Sequence, residues 1–328
     1  MGVVGVGRMG VVHAQTLRAH PDVEAVVVAD ADEDRARAVG AEIGAEALGV
    51  DELLGSVDAV VIAAASSAHA ELIHACAGRG LPAFCEKPIS LDLDSTTAAV
   101  EAVRAAGTIL QMGFQRRFDA GYCAAHDLVH DGTLGTLYVI RMVGHDPEPP
   151  HEEYIPVSGG IFRDFGVHDF DALRFVTGRE VDEVYADGAV VAFPQFERYG
   201  DVDTAVAILR IEGGGFGILS TTRHDPLGYD IRMELFGAKD SVAVGLDGRT
   251  PLRSIEPGIP PPPGPAYRNF RERFADAYRE EMLAFVEVAQ GRRENPCTPE
   301  DAREALRVAI ACDRSRSERR PVRLTEVA

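Results

Sequence analysis

The 328-residue chain has no tryptophan and almost no lysine: Lys87 and Lys239 stand against 31 arginines. Arginine can replace lysine as a surface cation but not as a titratable amine, so each remaining lysine raises a chemical question. Cysteine is also sparse. Its five positions, Cys76, Cys85, Cys123, Cys297 and Cys312, are odd in number and form no C-x-x-C pair. That argues against a disulfide frame or a zinc site and for reduced thiols in a cytoplasm. No apolar run reaches the roughly 18 residues of a spanning helix, and the N-terminus lacks a basic n-region, so neither a membrane anchor nor a signal peptide is expected. Positive charge is in deficit as well. Fifty-two acidic residues against 33 basic ones give a formal charge of −19, a field that repels nucleic-acid backbones and anionic lipid. Nucleic acid and membrane are therefore not the expected partners.

With 46% apolar and 26% charged residues the composition is that of a folded globular chain, and the length suits two domains. Up to residue 118, short apolar runs (Val3–Val4, Val23–Ala29, Ala59–Ala65, Ala83–Cys85, Ile109–Gly113) alternate with helical stretches, the pattern of a doubly wound parallel sheet. From residue 119 onward the pattern changes. A helix over Tyr122–His130 leads to a strand over Leu137–Val143, a Pro-rich loop over Asp146–Pro156 and a helix over Gly160–Val176. Strands are then expected at Val181–Val191, Thr204–Ile211, Phe216–Thr222, Ile231–Phe236 and Ser241–Val244, joined by short turns such as Gly213–Gly215 into a large, mostly antiparallel sheet. The fold expected is therefore α/β plus α+β, with domains at 1–118 and 119–328. The segment Glu256–Pro265 cannot hold regular structure, and two helices, Phe274–Gln290 and Pro299–Asp313, close the chain. These last helices could pack back on the first domain.

Three motifs carry chemistry. Gly5-Val6-Gly7-Arg8-Met9-Gly10 follows a strand and opens a helix, and Asp30 ends the next apolar run. Glycines in such a turn let a pyrophosphate approach the backbone, and a carboxylate at that distance accepts the adenosine ribose hydroxyls, which favours NAD over NADP. Small residues in a strand-to-helix turn can also be purely structural, and Arg35 stands close enough to bear on a 2′-phosphate. Cys85-Glu86-Lys87-Pro88 follows a strand whose C-terminal end faces the cofactor crevice, where Lys87 can polarise a substrate oxygen; an ordinary solvated loop lysine is the alternative. In Gly159–Asp171, Asp164 and His168 are i and i+4 on a helix, so a carboxylate can orient an imidazole for proton removal. A solvated surface pair, or a metal cluster with Asp169 and Asp171, would use the same residues; the latter is disfavoured because those two cannot both share that helix face.

GVGRMG at the start, EKP at 86–88 and SGGIFRDFGVHDFD at 158–171 together resemble the glucose-fructose oxidoreductase and inositol dehydrogenase superfamily along the whole chain. GFQRRFDAGY at 113–122 and GYDIRMELFG at 228–237 are similar to its inositol 2-dehydrogenase branch. The resemblance implies a Rossmann domain, an open-faced sheet domain and NAD-dependent oxidation of a ring hydroxyl of a cyclitol, myo-inositol to its 2-ketone. It assigns His168 as base, Asp164 as its partner and Lys87 as the amine on the reacting oxygen. It places Gly5, Gly7, Arg8, Met9, Gly10, Asp30, Ser66, His69, Glu86 and Gln115 at the cofactor, and Arg116, Asp146 and Tyr229 at substrate hydroxyls, with no metal. It also implies a homo-oligomer, a tetramer or dimer. Two departures stand out: the loop at 65–69 (Ala-Ser-Ser-Ala-His) lacks the proline common there, and Asp146 stands where inositol enzymes often carry Asn. A pyranose or anhydrosugar dehydrogenase and a non-catalytic NAD-binding regulator are the alternatives; a regulator would need none of Lys87, Asp164 and His168.

Overall fold

A computed structural model describes residues 1–327. The chain forms two compact units, residues 1–118 with 276–303, and residues 119–275 with the chain from 304 onward.

The first unit is built on a six-stranded sheet with every neighbour parallel, in the order β3-β2-β1-β4-β5-β6. Its strands are β1 (Gly2–Val4), β2 (Val27–Ala29), β3 (Glu46–Ala47), β4 (Val60–Ile62), β5 (Ala83–Glu86) and β6 (Leu110–Gly113). The helices are α1 (Arg8–Arg18), α2 (Glu33–Ile43), α3 (Val50–Leu54), α4 (Ser66–Gly78) and α5 (Leu93–Ala106). β1 and β4 are buried along their whole length, the pattern of a sheet covered on both faces. Part of that cover comes from far along the chain, where Met282, Phe285 and Val286 join Val3, Val28, Val61 and Phe84 in one core. The apolar run from Val23 yields a strand only from Val27, because Val23 N–H still closes a turn onto the His20 carbonyl.

The second unit carries a seven-stranded sheet in the order β12-β11-β7-β10-β9-β8-β13. Its strands are β7 (Leu137–His145), β8 (Val181–Ala189), β9 (Thr204–Ile211), β10 (Phe216–Thr222), β11 (Asp230–Gly237), β12 (Ser241–Val244) and β13 (Val322–Arg323). Helices α6 (Ala120–His130), α7 (Ile155–Ser158) and α8 (Val167–Thr177) belong to this unit, and α9 (Phe270–Arg273) precedes α10 (Ala275–Ala289) and α11 (Pro299–Glu318). The unit boundary falls inside α11. β9 alternates buried and outward residues, the period-2 pattern of a sheet with one packed face.

Three details correct the reading from sequence. The sheet is mostly antiparallel, as expected, but not wholly so: β10 runs parallel to β7 over Phe216–Thr222, the two being separated in sequence by α8, β8 and β9 rather than by a turn. The loop from Asp146 contains a 3₁₀ turn (Glu152–Tyr154) and α7, with Pro156 in the first turn of α7, where its missing N–H costs nothing. Finally, α11 continues past Asp313 to Glu318, carried by an Arg314–Glu318 pair one turn apart. Its start is capped by a reciprocal pair, Asp301 N–H donating to Thr298 Oγ1 and Thr298 N–H to Asp301 Oδ2.

Candidate active site

The three glycines after β1 do different work. Gly5 has φ +91°, and a Cβ there would fall 2.4 Å from the backbone of Ala64. Gly10 lies so close under the strand end that a Cβ would come 1.8 Å from the Gly5 carbonyl oxygen. Gly7, the N-cap of α1, has nothing within 4 Å of the corresponding position. The fold itself requires the first and third glycines, whereas the second leaves backbone open to an incoming group. No side chain caps α1, and its first turn holds no acidic residue, so its N–H groups are available to an anion. Exposed Arg8 and half-buried Met9 are its first two residues.

Asp30 follows β2. Its Oδ2 accepts the Val6 N–H at 2.8 Å, and its Oδ1 accepts the Asp32 N–H at 2.9 Å and Arg35 Nη2 at 2.6 Å. Burial alone would push this carboxyl up, but the hydrogen bonds from Arg35 and the two backbone groups outweigh it and hold Asp30 below the usual carboxylate range. A carboxylate offers about four acceptor positions, so an adenosine ribose would share Asp30 with the half-exposed Arg35. The turn, the uncapped helix and this carboxylate fit a dinucleotide.

The neighbouring strand ends complete this edge. Ser66 opens α4 after β4. The buried His69 ring places Nδ1 2.7 Å from the Pro88 carbonyl and Nε2 3.0 Å from the Ala64 carbonyl, tying the turn after β4 to the turn after β5. Lys87, half-buried, is the first residue beyond β5, and the Lys87–Pro88 peptide is cis. Glu86 points its Oε1 to Nε2 of the fully buried His13 of α1 at 2.7 Å. That bond ties the EKP turn to the helix of the glycine turn, a role the sequence did not suggest for Glu86. Gln115 and Arg116 are buried in the 3₁₀ turn (Gln115–Phe118) that follows β6. The glycine turn, His69, Glu86, Lys87, Gln115 and Arg116 therefore share the C-terminal edge of one parallel sheet, where open α/β sheets bind ligands.

A second cluster lies in the other unit. Because β7 and β10 are parallel and in register from Val139 with Phe216 to His145 with Thr222, their next residues, Asp146 and Arg223, emerge side by side. Tyr229, buried, enters the antiparallel β11 at the same edge, with Asp230 opposite His145. Phe162–Gly166 forms a π-helical turn ahead of α8 instead of the regular helix expected, and Asp164 sits within it. Wide turns of this kind recur at functional sites. Both Asp164 oxygens are engaged, Oδ1 by the Tyr154 hydroxyl at 2.9 Å and Oδ2 by Arg223 Nη1 at 2.9 Å. The same nitrogen lies 3.5 Å from Asp146 Oδ2. Half-buried His168 is in the first turn of α8, while Asp169 and Asp171 are buried within that helix.

The structure thus gathers Asp146, Asp164, His168 and Tyr229 in one unit and Lys87, Arg116 and the dinucleotide residues in the other. Sequence reasoning missed Arg223, which reads as a charged strand end after two threonines, and Tyr154, which lies in a segment expected to be loop.

A doubly wound unit with this glycine turn, followed by a sheet unit bearing an Asp-His helix, defines the class of nicotinamide-dinucleotide oxidoreductases. A family described as an oxidoreductase family with an NAD-binding Rossmann fold matches residues 1–114, and the GFO/IDH/MocA C-terminal domain matches residues 122–243. The chain belongs to the GFO/IDH/MocA family of oxidoreductases. Myo-inositol 2-dehydrogenase of Thermotoga maritima is 38% identical over all of this chain and 99% of its own, and inositol 2-dehydrogenase of Rhizobium meliloti is 36% identical over 98% of each. Among solved structures, scyllo-inositol dehydrogenase from Lactobacillus casei with bound NAD(H) and scyllo-inositol superposes with a TM-score of 0.88 at 27% identity, covering 99% of this chain and 98% of that one.

Proposed function

We propose that this protein oxidises a ring hydroxyl of a cyclitol, myo-inositol to the 2-keto product, with NAD as oxidant. The observation that supports this reading best is Lys87: a chain that has all but abandoned lysine keeps one at the end of β5, on the sheet edge that carries the glycine turn. Relatives of the same length named as inositol dehydrogenases support the substrate class.

NAD, when bound, supplies the hydride acceptor. His168 takes the proton of the reacting hydroxyl as the carbon beneath it gives up hydride, so the alcohol loses one proton and one hydride and becomes a ketone. The Lys87 ammonium donates to the same oxygen and opposes the negative charge that builds there. Asp164 and Asp146 accept hydrogen bonds from neighbouring ring hydroxyls, and Arg116 and Tyr229 complete the set. NAD is preferred to NADP because the ionised Asp30 opposes a 2′-phosphate, with Arg35 already occupied on that carboxylate. The protein works as a homo-oligomer, a tetramer, closed over the outer face of the large sheet. There Ile208 lies opposite both Ile218 and Tyr185, and these three side chains are 39–49% exposed, with Val206 beside them at 51%. Five cysteines outside any disulfide fit a reducing cytoplasm.

The test is NAD reduction against myo-, scyllo- and chiro-inositol, glucose, xylose and levoglucosan. Turnover with myo-inositol, with Lys87→Met and His168→Ala each lowering it by about 100-fold while NAD binding persists, is the expected result. No reduction with any of these compounds despite measurable NAD binding would sink the reading.

A further inference from the structure

We propose that Arg223 is a positioning residue for this reaction: it holds Asp146 and Asp164 as a spaced pair of ionised acceptors for two ring hydroxyls. The inference rests on the cyclitol reading above and gives it a specificity element.

The geometry is unusual for a structural arginine. The side chain is 3% exposed, yet one nitrogen, Nη1, carries both ionic contacts, 2.9 Å to Asp164 and 3.5 Å to Asp146. Nε and Nη2 are buried and make no hydrogen bond. An arginine kept for stability normally satisfies its planar fork, often bidentately, and a buried unmet donor is a cost that calls for an explanation. The exposures are graded as well: Asp164 is 13% and Asp146 24% exposed, so the cation sits behind and the two acceptors in front. Each component comes from a different element: Asp146 from the end of β7, Arg223 from the end of β10 and Asp164 from the π turn before α8. The Arg223 N–H is fixed on the Asp203 carbonyl at 2.8 Å, and its guanidinium carbon lies 5.8 Å from the Phe165 ring centroid. The charged or titratable groups at this set include Asp201, which adds to the field at Arg223, and the Tyr154 hydroxyl on Asp164, with His168 four residues beyond Asp164 at the start of α8. Two carboxylates on one guanidinium leave a net negative site, which accepts hydrogen bonds from hydroxyls and disfavours a ring bearing a carboxylate. Without the cation, the two acids become like charges at close range, and ionising both becomes harder.

The experiment compares the wild type with Arg223→Met and Arg223→Lys for kcat and KM toward myo-inositol across pH, for NAD affinity and for melting temperature. Expected for Arg223→Met are a loss of roughly 100-fold in kcat/KM, an acid limb moved to higher pH, and NAD affinity within about twofold of wild type. Arg223→Lys should restore the position of the acid limb without restoring full kcat/KM, because lysine keeps the charge and loses the fork. If Arg223→Met fails to fold, Arg223→Gln, equally neutral but still a hydrogen-bond donor, takes its place with the same expected movement of the limb. Unchanged kcat/KM, or a loss with no movement of the acid limb in the neutral variant, would overturn the inference. A wild type that oxidises none of the cyclitols or sugars overturns the proposed reaction instead, and this inference falls with it.

Discussion

Substituting the glycines of the first turn one at a time separates what the fold needs from what the cofactor needs. In Gly10→Ala the new methyl would sit 1.8 Å from the Gly5 carbonyl oxygen, where ordinary contact begins at 3.4 Å. The nearest atom is backbone, so α1 must lift from the sheet or the turn must open. Overpacking of this kind costs about 1–3 kcal/mol, which for a unit of this size lowers Tm by roughly 3–10 °C. In Gly7→Ala nothing lies within 4 Å of the new methyl, and φ is an ordinary −72°. Only a modest change in capping is expected, under about 1 kcal/mol. The methyl does, however, stand where a phosphate would approach the uncapped N–H groups of α1, and NAD affinity should fall by about tenfold or more, equivalent to roughly 1.4 kcal/mol. Thermal denaturation of the free protein reads the first effect. Calorimetric titration with NAD reads the second, since there is no tryptophan emission to follow. A Gly7→Ala variant that binds NAD as tightly as the wild type, or a Gly10→Ala variant with unchanged Tm, would refute this division of labour.

Three further outcomes can be checked. Asp203, buried, accepts the N–H groups of Val191, Ala192 and Phe193 and the Thr204 hydroxyl. Burial alone would push its carboxyl up, but these bonds outweigh it and hold it below 3.8. Its contribution is therefore present above the unfolded value and lost as pH falls through the lower folded one. Asp203→Asn should cost about 1–3 kcal/mol at neutral pH and less in acid, as denaturation at two pH values would show. Asp313 is the opposite case: burial pushes it up from 3.8 to about 6, against the pull of Arg163 at 2.7 Å. The folded state then keeps a proton that the unfolded chain releases, so roughly 2 kcal/mol is lost as pH rises from 4 to 6, and Asp313→Asn should flatten Tm over that window. Parallel Tm curves would contradict this. On the outer sheet face, Ile208→Asp should shift the protein to a smaller species by light scattering while leaving the monomer folded.

The parallel sheet and its glycine turn were legible because period, turn chemistry and Asp30 all lie within thirty residues. What escaped depends on partners distant in sequence. The two-residue strands β3 and β13 are too short to carry a period. The parallel pairing of β7 with β10 leaves no trace in either strand, since alternation reads the same in both directions. The bond of Glu86 to His13, 73 residues away, cannot be read from the EKP motif. The i, i+4 spacing of Asp164 and His168 is legible in the sequence, whereas the π turn that holds Asp164 is not.

The register of β7 and β10 works as a ruler. Seven matched rungs run from Val139 with Phe216 to His145 with Thr222, and the acid and the guanidinium are each the first residue past the last rung. Deleting one residue from either strand would withdraw its terminal side chain by about 3.3 Å and turn it to the opposite face. Exchanging the residue past the rung, by contrast, would leave the ladder untouched. If the proposed function holds, what the second unit recognises can therefore be changed by altering two positions 77 residues apart, without any change in the length of the strands that present them.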